Sequence, residues 1–307
     1  MTNPLRDKDP SKIHLITLRT HDAALWMKPC PEVEQILGGI LARYQEMYSI
    51  ILYCYSFVSN HYHLLLQAPL GNIDIFEENL NREISRRMNR FNLRRGKFWA
   101  KRYDDLIVPT EEDSLEGFLY IITNSTKHAL VDDPRTWPGL NCLLHFESGE
   151  QRKYKFTHYS KRNRKGIPLQ TEHTLTLSPL PQYADMDPRA RTALLVTKIQ
   201  ERIDLLRQKH KEDGIRFLGL VRLKQEKAGS IPRNVAYARR PICYTKNPQV
   251  RREFRRLEHD RRSRFAEASY RFRLGDLQVQ FPAHCHKPPL HRVPRTPMGT
   301  GLAFFGT

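Results

Sequence analysis

The sequence predicts an α+β fold: a ferredoxin-like antiparallel sheet with helices on one face, continued by a basic, mainly helical C-terminal extension. Two observations carry the sheet. Apolar segments follow the order β-α-β-β-α-β-α from Ile13 to Ile122, and the central two strands are separated by Ser59-Asn60 alone. The third observation, charge, carries the extension. Residues 1–150 hold 17 basic and 20 acidic side chains, whereas residues 151–307 hold 34 and 13, so the excess behind the net charge of +18 lies in the second half.

Ile13 to Leu18 is a short apolar run of strand type, and Val33 to Tyr44 carries Ile36, Leu37, Ile40 and Leu41 at helical spacing. Ile50 to Val58 is rich in β-branched and aromatic residues, and His61 to Gln67 follows it at once, as in a tight hairpin. Leu80, Ile84, Met88 and Phe91 then describe one buried helix stripe, ending near Gly96. Phe98 to Val108 reads as a further strand. Leu115, Phe118, Leu119 and Ile122 mark a helix that starts near Thr110-Glu111. This first domain spans residues 11–138. Residues 139–187 read as an irregular basic linker, with prolines at 179 and 181. A basic helical region over 188–280 follows, in which Leu195, Ile199, Ile203 and Leu206 are spaced for one helix and Asn247-Pro248 opens another. The proline-rich tail 281–307 is expected to be disordered.

A basic surplus of this size points to a polyanionic partner, nucleic acid before a membrane surface. No apolar run approaches the roughly 18 residues that span a bilayer. The first residues, with Asp7 and Asp9, lack a signal-peptide pattern. A soluble, cytoplasmic, nucleoid-associated protein of prokaryotic type is expected, with no membrane contact. The five cysteines are scattered and form no CxxC pair, which predicts neither a disulfide framework nor a zinc ribbon. His284-Cys285-His286 has no second ligand pair at zinc spacing and is given no role.

Two short patterns carry chemistry. In a strand, His61 and His63 share one face while Tyr62, Leu64 and Leu66 share the other, and two neutral imidazoles side by side can chelate a metal. In a helix, Tyr120 and Asn124 lie one turn apart and present a phenol and an amide together. Either pattern alone is more readily ordinary strand or helix structure; the reading rests on their occurring together.

Together they resemble the single-tyrosine HUH transposases of small insertion sequences, especially the REP-associated tyrosine transposases. The likeness is carried by Ser59-Asn60-His61-Tyr62-His63-Leu64-Leu65, by Phe98-Trp99 to Arg102-Tyr103, and by Tyr120-Ile121-Ile122-Thr123-Asn124 followed by Leu130-Val131 and Trp137-Pro138. It covers about residues 11–138, and the 57-residue gap from His63 to Tyr120 fits it. Many relatives have Asn-Pro where this chain has Asn124-Ser125. The resemblance implies that His61, His63 and Asn124 bind a divalent metal, Mg²⁺ or Mn²⁺, and that Tyr120 is the nucleophile. It implies a transposase that nicks and rejoins hairpin-containing single-stranded DNA through a 5′-phosphotyrosine intermediate, acting as a monomer or a homodimer.

Mixtures of charge and aromatic faces suit unpaired bases, which nominates Lys97, Trp99, Lys101 and Arg102 with Lys153, Tyr154 and Lys155. Arg251, Arg252, Arg255 and Arg256 are placed to track phosphates along the last helix. Two alternatives stay open: a non-catalytic nucleic-acid-binding regulator on the same scaffold, and a metal-dependent nuclease that uses water in place of tyrosine.

Overall fold

The computed structural model describes residues 6–163, 165–232 and 241–288. Strand β1 (Ile13–Arg19), helix α1 (Pro31–Tyr48), the hairpin of β2 (Ile51–Phe57) and β3 (His61–Gln67), helix α2 (Ile73–Phe91) and strand β4 (Asp104–Val108) follow one another. The strands form one antiparallel sheet in the order β2-β3-β1-β4. With a helix between β1 and β2 and another between β3 and β4, this is the predicted ferredoxin-like arrangement.

Strand β3 shows how the sequence sorts the two faces. Tyr62 turns toward α2, where its hydroxyl meets Glu77 and Asn81, and α1 packs beside α2. The two crossover helices therefore share a face. Leu15 and Leu65 are as buried as Ile16 and Leu64, however, so the sheet is apolar on both sides and needs cover on both. Helix α3 (Glu111–Ile122) supplies the second cover, with Gly117 lying over Leu15 and Leu65. Its start is fixed by Thr110, whose hydroxyl accepts from the Asp113 amide at 3.1 Å, and by three acidic residues in the first turn. The helix breaks at Thr123 and resumes as the single turn α4 (Asn124–Lys127).

Strand β4 begins six residues later than the sequence suggests. Phe98 and Tyr103 are drawn into the core, and Trp99 donates its indole N–H to the Asn81 carbonyl at 2.9 Å. The chain between them leaves the ladder apart from one bridge, Thr20 to Trp99.

The segment expected to be an irregular linker is instead structured. After the short helix α5 (Leu143–Ser148), strands β5 (Arg152–Arg162) and β6 (Pro168–Leu175) form an antiparallel hairpin against α1. Gly38 and Gly39 permit this approach: a Cβ at Gly39 would lie 2.5 Å from the Lys155 carbonyl oxygen. Tyr154, Phe156 and Leu175 of the hairpin, together with Leu195, Ile199 and Ile203 of α6 (Pro188–Glu212), join the same core as the sheet. The core thus continues across the boundary expected near residue 139.

Helix α7 (Gly219–Gln225) is short, and α8 (Pro248–Arg273) begins as predicted, with Asn247 Oδ1 accepting from the Gln249 amide at 2.9 Å. The described part of the tail is attached to the fold rather than disordered, since Phe281 packs on Phe272 and the Lys8 amide donates to the His284 carbonyl at 3.0 Å. The remaining tail residues, with Pro289, Pro294 and Pro297, lie outside the described residues.

Both margins of the sheet receive backbone hydrogen bonds. On β2, the Phe57 amide donates to Leu140 and the Tyr55 and Leu52 carbonyls accept from Cys142 and Ser178; on β4, the Ile107 carbonyl accepts from Tyr244. No helix among the described residues is long and apolar enough to cross a membrane.

Candidate active site

The antiparallel register sets Thr17 opposite His63 and Arg19 opposite His61, on the face that α3 covers. His63 Nδ1 lies 2.7 Å from the Thr17 hydroxyl. His61 Nδ1 lies 2.7 Å from Asn60 Oδ1, and the Asn60 amide nitrogen donates to the Ala23 carbonyl at 2.9 Å. That second bond orients the amide, so Oδ1 can only accept. His61 therefore carries its proton on Nδ1 and keeps a lone pair on Nε2.

The two rings meet edge to face, with centroids 4.9 Å apart. Both are buried and both are held neutral. Burial pushes His63 down to about 3, reinforced by His128, Lys127 and Arg19. Burial also holds His61 well below its ordinary value, reinforced by His63, His128 and Arg19. A pair of neutral imidazoles is the form that ligates metals.

Tyr120 reaches this pair from α3. Its hydroxyl lies 3.4 Å from His63 Nε2, and the ring centroids are 5.1 Å apart. Burial raises the phenol above its ordinary value, and Arg19 and Asn124 act in the opposite direction. Asn124, one turn further on, is 0% exposed; its amide makes no well-formed hydrogen bond, but it lies near enough to His61 and Tyr120 to raise the pKa of the one and lower that of the other. An under-satisfied buried amide costs up to about 1–3 kcal/mol, which a ligand that completed it beside His61 and Tyr120 would relieve.

Among the described residues no group of three or more His, Cys, Asp or Glu is placed to hold a metal. The polar groups gathered here are of another composition, two imidazoles and an amide. Neutral imidazoles and an under-satisfied amide are groups of the kind that can ligate a divalent cation.

The structure brings His61, His63, Tyr120 and Asn124 together, and adds three residues that the sequence reading missed. His128, whose ring lies 5.4 Å from that of His61, continues the stripe of Tyr120 and Asn124 by another four residues, a spacing that could have disclosed it. Lys127 holds its ammonium 4.2 Å from the Tyr120 ring centroid. Arg19 could be found only from the strand register.

The nominated nucleic-acid residues fare unevenly. Tyr154 is buried against α1 with its hydroxyl toward Glu34, so it is a core residue and offers no face to a base. Trp99 is half-buried, its N–H already used. Lys97, Arg102, Lys153 and Lys155 are exposed, Lys153 pairs with Glu172, and exposed Lys101 pairs with Asp104. On α8, Arg251 is tied to the Thr245 carbonyl, whereas Arg252, Arg255 and Arg256 are exposed and form no ion pair among the described residues.

No family model matches the sequence, and no curated protein matches it. Among solved structures the chain is similar to one described as the REP-associated tyrosine transposase bound to a REP hairpin. The TM-score is 0.41 at 16% identity, covering 48% of this chain and 86% of that one.

Proposed function

We propose that the protein is a metal-dependent DNA strand transferase that nicks and rejoins single-stranded, hairpin-containing DNA through Tyr120. One observation carries this reading: the Tyr120 hydroxyl is 3.4 Å from an imidazole that is held neutral, next to a buried amide that makes no well-formed hydrogen bond. A phenol, two neutral rings and a buried amide, the kinds of group that covalent metal-assisted phosphoryl transfer needs, lie side by side.

His61 and His63, through Nε2, and Asn124, through its amide oxygen, would hold Mg²⁺ or Mn²⁺, and when bound this ion would polarise the scissile phosphate. Asn60 and Thr17 fix the orientation of the two rings. Helix α3, pinned over Leu15 and Leu65, fixes the phenol in position for in-line attack. The Tyr120 oxygen forms a bond to phosphorus, the bond from phosphorus to the 3′-oxygen breaks, and the phenolic proton ends on the departing 3′-hydroxyl. A phosphotyrosine ester remains on the 5′ side. Because the ester is retained, attack by another 3′-hydroxyl restores a continuous strand and releases Tyr120.

The test is incubation of the full chain with Mn²⁺ or Mg²⁺ and labelled single-stranded DNA from the flanks of its own gene, followed by denaturing electrophoresis. A labelled protein-DNA adduct is expected, lost in Tyr120→Phe and weakened in His61→Ala. Cleavage that persists in Tyr120→Phe without an adduct would replace this reading by a water-using nuclease. Binding without cleavage across several hairpins would replace it by a regulator.

A further inference from the structure

Helix α3 presents more along the Tyr120 stripe than the groups already assigned. Glu116 lies one turn before Tyr120, and Lys127 lies two turns after it. Glu116 binds two cations at once. Arg202 of α6 and Lys246 of the segment leading into α8 each place a nitrogen 2.5 Å from one of its carboxylate oxygens. Tyr244 holds that segment against α3: its ring centroid lies 6.2 Å from that of Tyr120, and its hydroxyl donates to the Glu116 carbonyl at 3.4 Å. Lys127, over the Tyr120 ring, has no carboxylate partner among the described residues.

Two cations thus share one carboxylate on one side of the candidate nucleophile, and Lys127 lies over its ring with no carboxylate of its own among the described residues. The arrangement carries an excess of positive charge and is open to solvent, since Lys127 is exposed and the Lys246 side chain is 79% exposed. The protein packed around its ammonium, where it lies over the Tyr120 ring, depresses the Lys127 pKa, and Arg202, Lys209 and Lys246 depress it further. An anion bound among these groups would relieve that repulsion.

We infer that Lys127, Arg202 and Lys246 form a phosphate-binding subsite beside Tyr120, which holds the phosphodiester backbone of the strand on which Tyr120 acts. The inference rests on the proposed role of Tyr120 for its position in the reaction, but not for its chemistry. Two of the three cations come from α6 and the segment before α8, so the C-terminal extension completes the reactive site as well as adding basic surface. The extended anion that suits an open row of fixed cations on a chain of net charge +18 is a nucleic-acid backbone.

Binding and chemistry are separated by using the Tyr120→Phe chain for affinity and the Tyr120 chain for adduct formation. Binding of a labelled oligothymidylate to Tyr120→Phe is measured across a series of salt concentrations, alone and with Lys127→Gln, Lys127→Arg or Lys246→Gln added. Each Gln variant is expected to flatten the dependence of log affinity on log salt by about 0.7, the contribution of one single-strand phosphate contact, and Lys127→Arg to retain it. With Tyr120 present, Lys127→Gln is expected to slow adduct formation about tenfold, the scale of one charged hydrogen bond. An unchanged salt slope in both Gln variants overturns the subsite, whatever the adduct assay shows. A flattened slope in a protein whose Tyr120 form makes no adduct leaves the subsite standing and removes the covalent reading.

Discussion

Glu77 gives the sharpest energetic test of the scaffold behind His61 and His63. Its carboxyl is fully buried beneath β3, where the Tyr62 hydroxyl lies 2.9 Å from Oε2 and 2.7 Å from Asn81 Oδ1. A phenol has one proton and here faces two acceptors. The second contact becomes a hydrogen bond if Glu77 keeps its own proton and donates it to the Tyr62 oxygen. Burial acts the same way, pushing Glu77 up to about 7 despite the hydrogen bonds of Tyr62 and Asn81. Between its ordinary 4.5 and about 7 the folded protein binds a proton that the unfolded chain has lost, so stability falls as pH rises through that window. The displacement corresponds to about 3 kcal/mol. Glu77→Gln keeps a donor at the same position and removes the titration. Urea unfolding of wild type and variant, followed by tryptophan fluorescence, should therefore show the variant gaining about 3 kcal/mol relative to wild type between pH 4.5 and pH 8. A difference between the two proteins that is the same at both pH values would refute the assignment of a neutral Glu77.

Asn60→Ala removes the group that orients His61, and should weaken Mn²⁺ binding, measured by calorimetry, by about ten- to a hundredfold. Gly39→Ala places a methyl group against the Lys155 carbonyl, which is backbone and cannot swing aside; thermal unfolding should register a loss of roughly 1–3 kcal/mol. Replacing Arg252, Arg255 and Arg256 together by Ala should lower affinity for unrelated single strands to a similar degree and flatten the salt slope, while leaving the adduct rate at saturating DNA unchanged.

The sheet was legible because strands β1, β2 and β3 are short runs rich in apolar, β-branched and aromatic residues, and Ser59-Asn60 leaves room for nothing but a hairpin. The pairing of His61 with His63, and of Tyr120 with Asn124, followed from those periods alone. Strand β5 was misread although its signal was present. Lys153-Tyr154-Lys155-Phe156 alternates polar and apolar side chains; Tyr154 and Phe156 are buried while Lys153 and Lys155 are exposed, which is strand patterning and not a base-stacking surface. Its destination depended on Gly38 and Gly39, more than 100 residues earlier, whose small size matters only once the hairpin is in place. Arg19 illustrates what local pattern cannot supply, because its position beside His61 is set by which strand becomes the neighbour of β3. Arg202 and Lys246 were read as part of a separate basic region for the same reason: their meeting at Glu116 is a property of the folded chain.

The hydrogen bonds at the two margins of the sheet bear on assembly. A strand with unpaired backbone groups invites a matching strand from another molecule. Here the outer strand on one side is already engaged by residues 140, 142 and 178, and the outer strand on the other by residue 244. A second copy therefore cannot extend this sheet through those positions unless its own C-terminal chain, or that of its partner, first lets go. Shortening the chain before Tyr244 would expose β4 at Ile107 and open a route to edge-to-edge association that the hydrogen bond from Tyr244 closes.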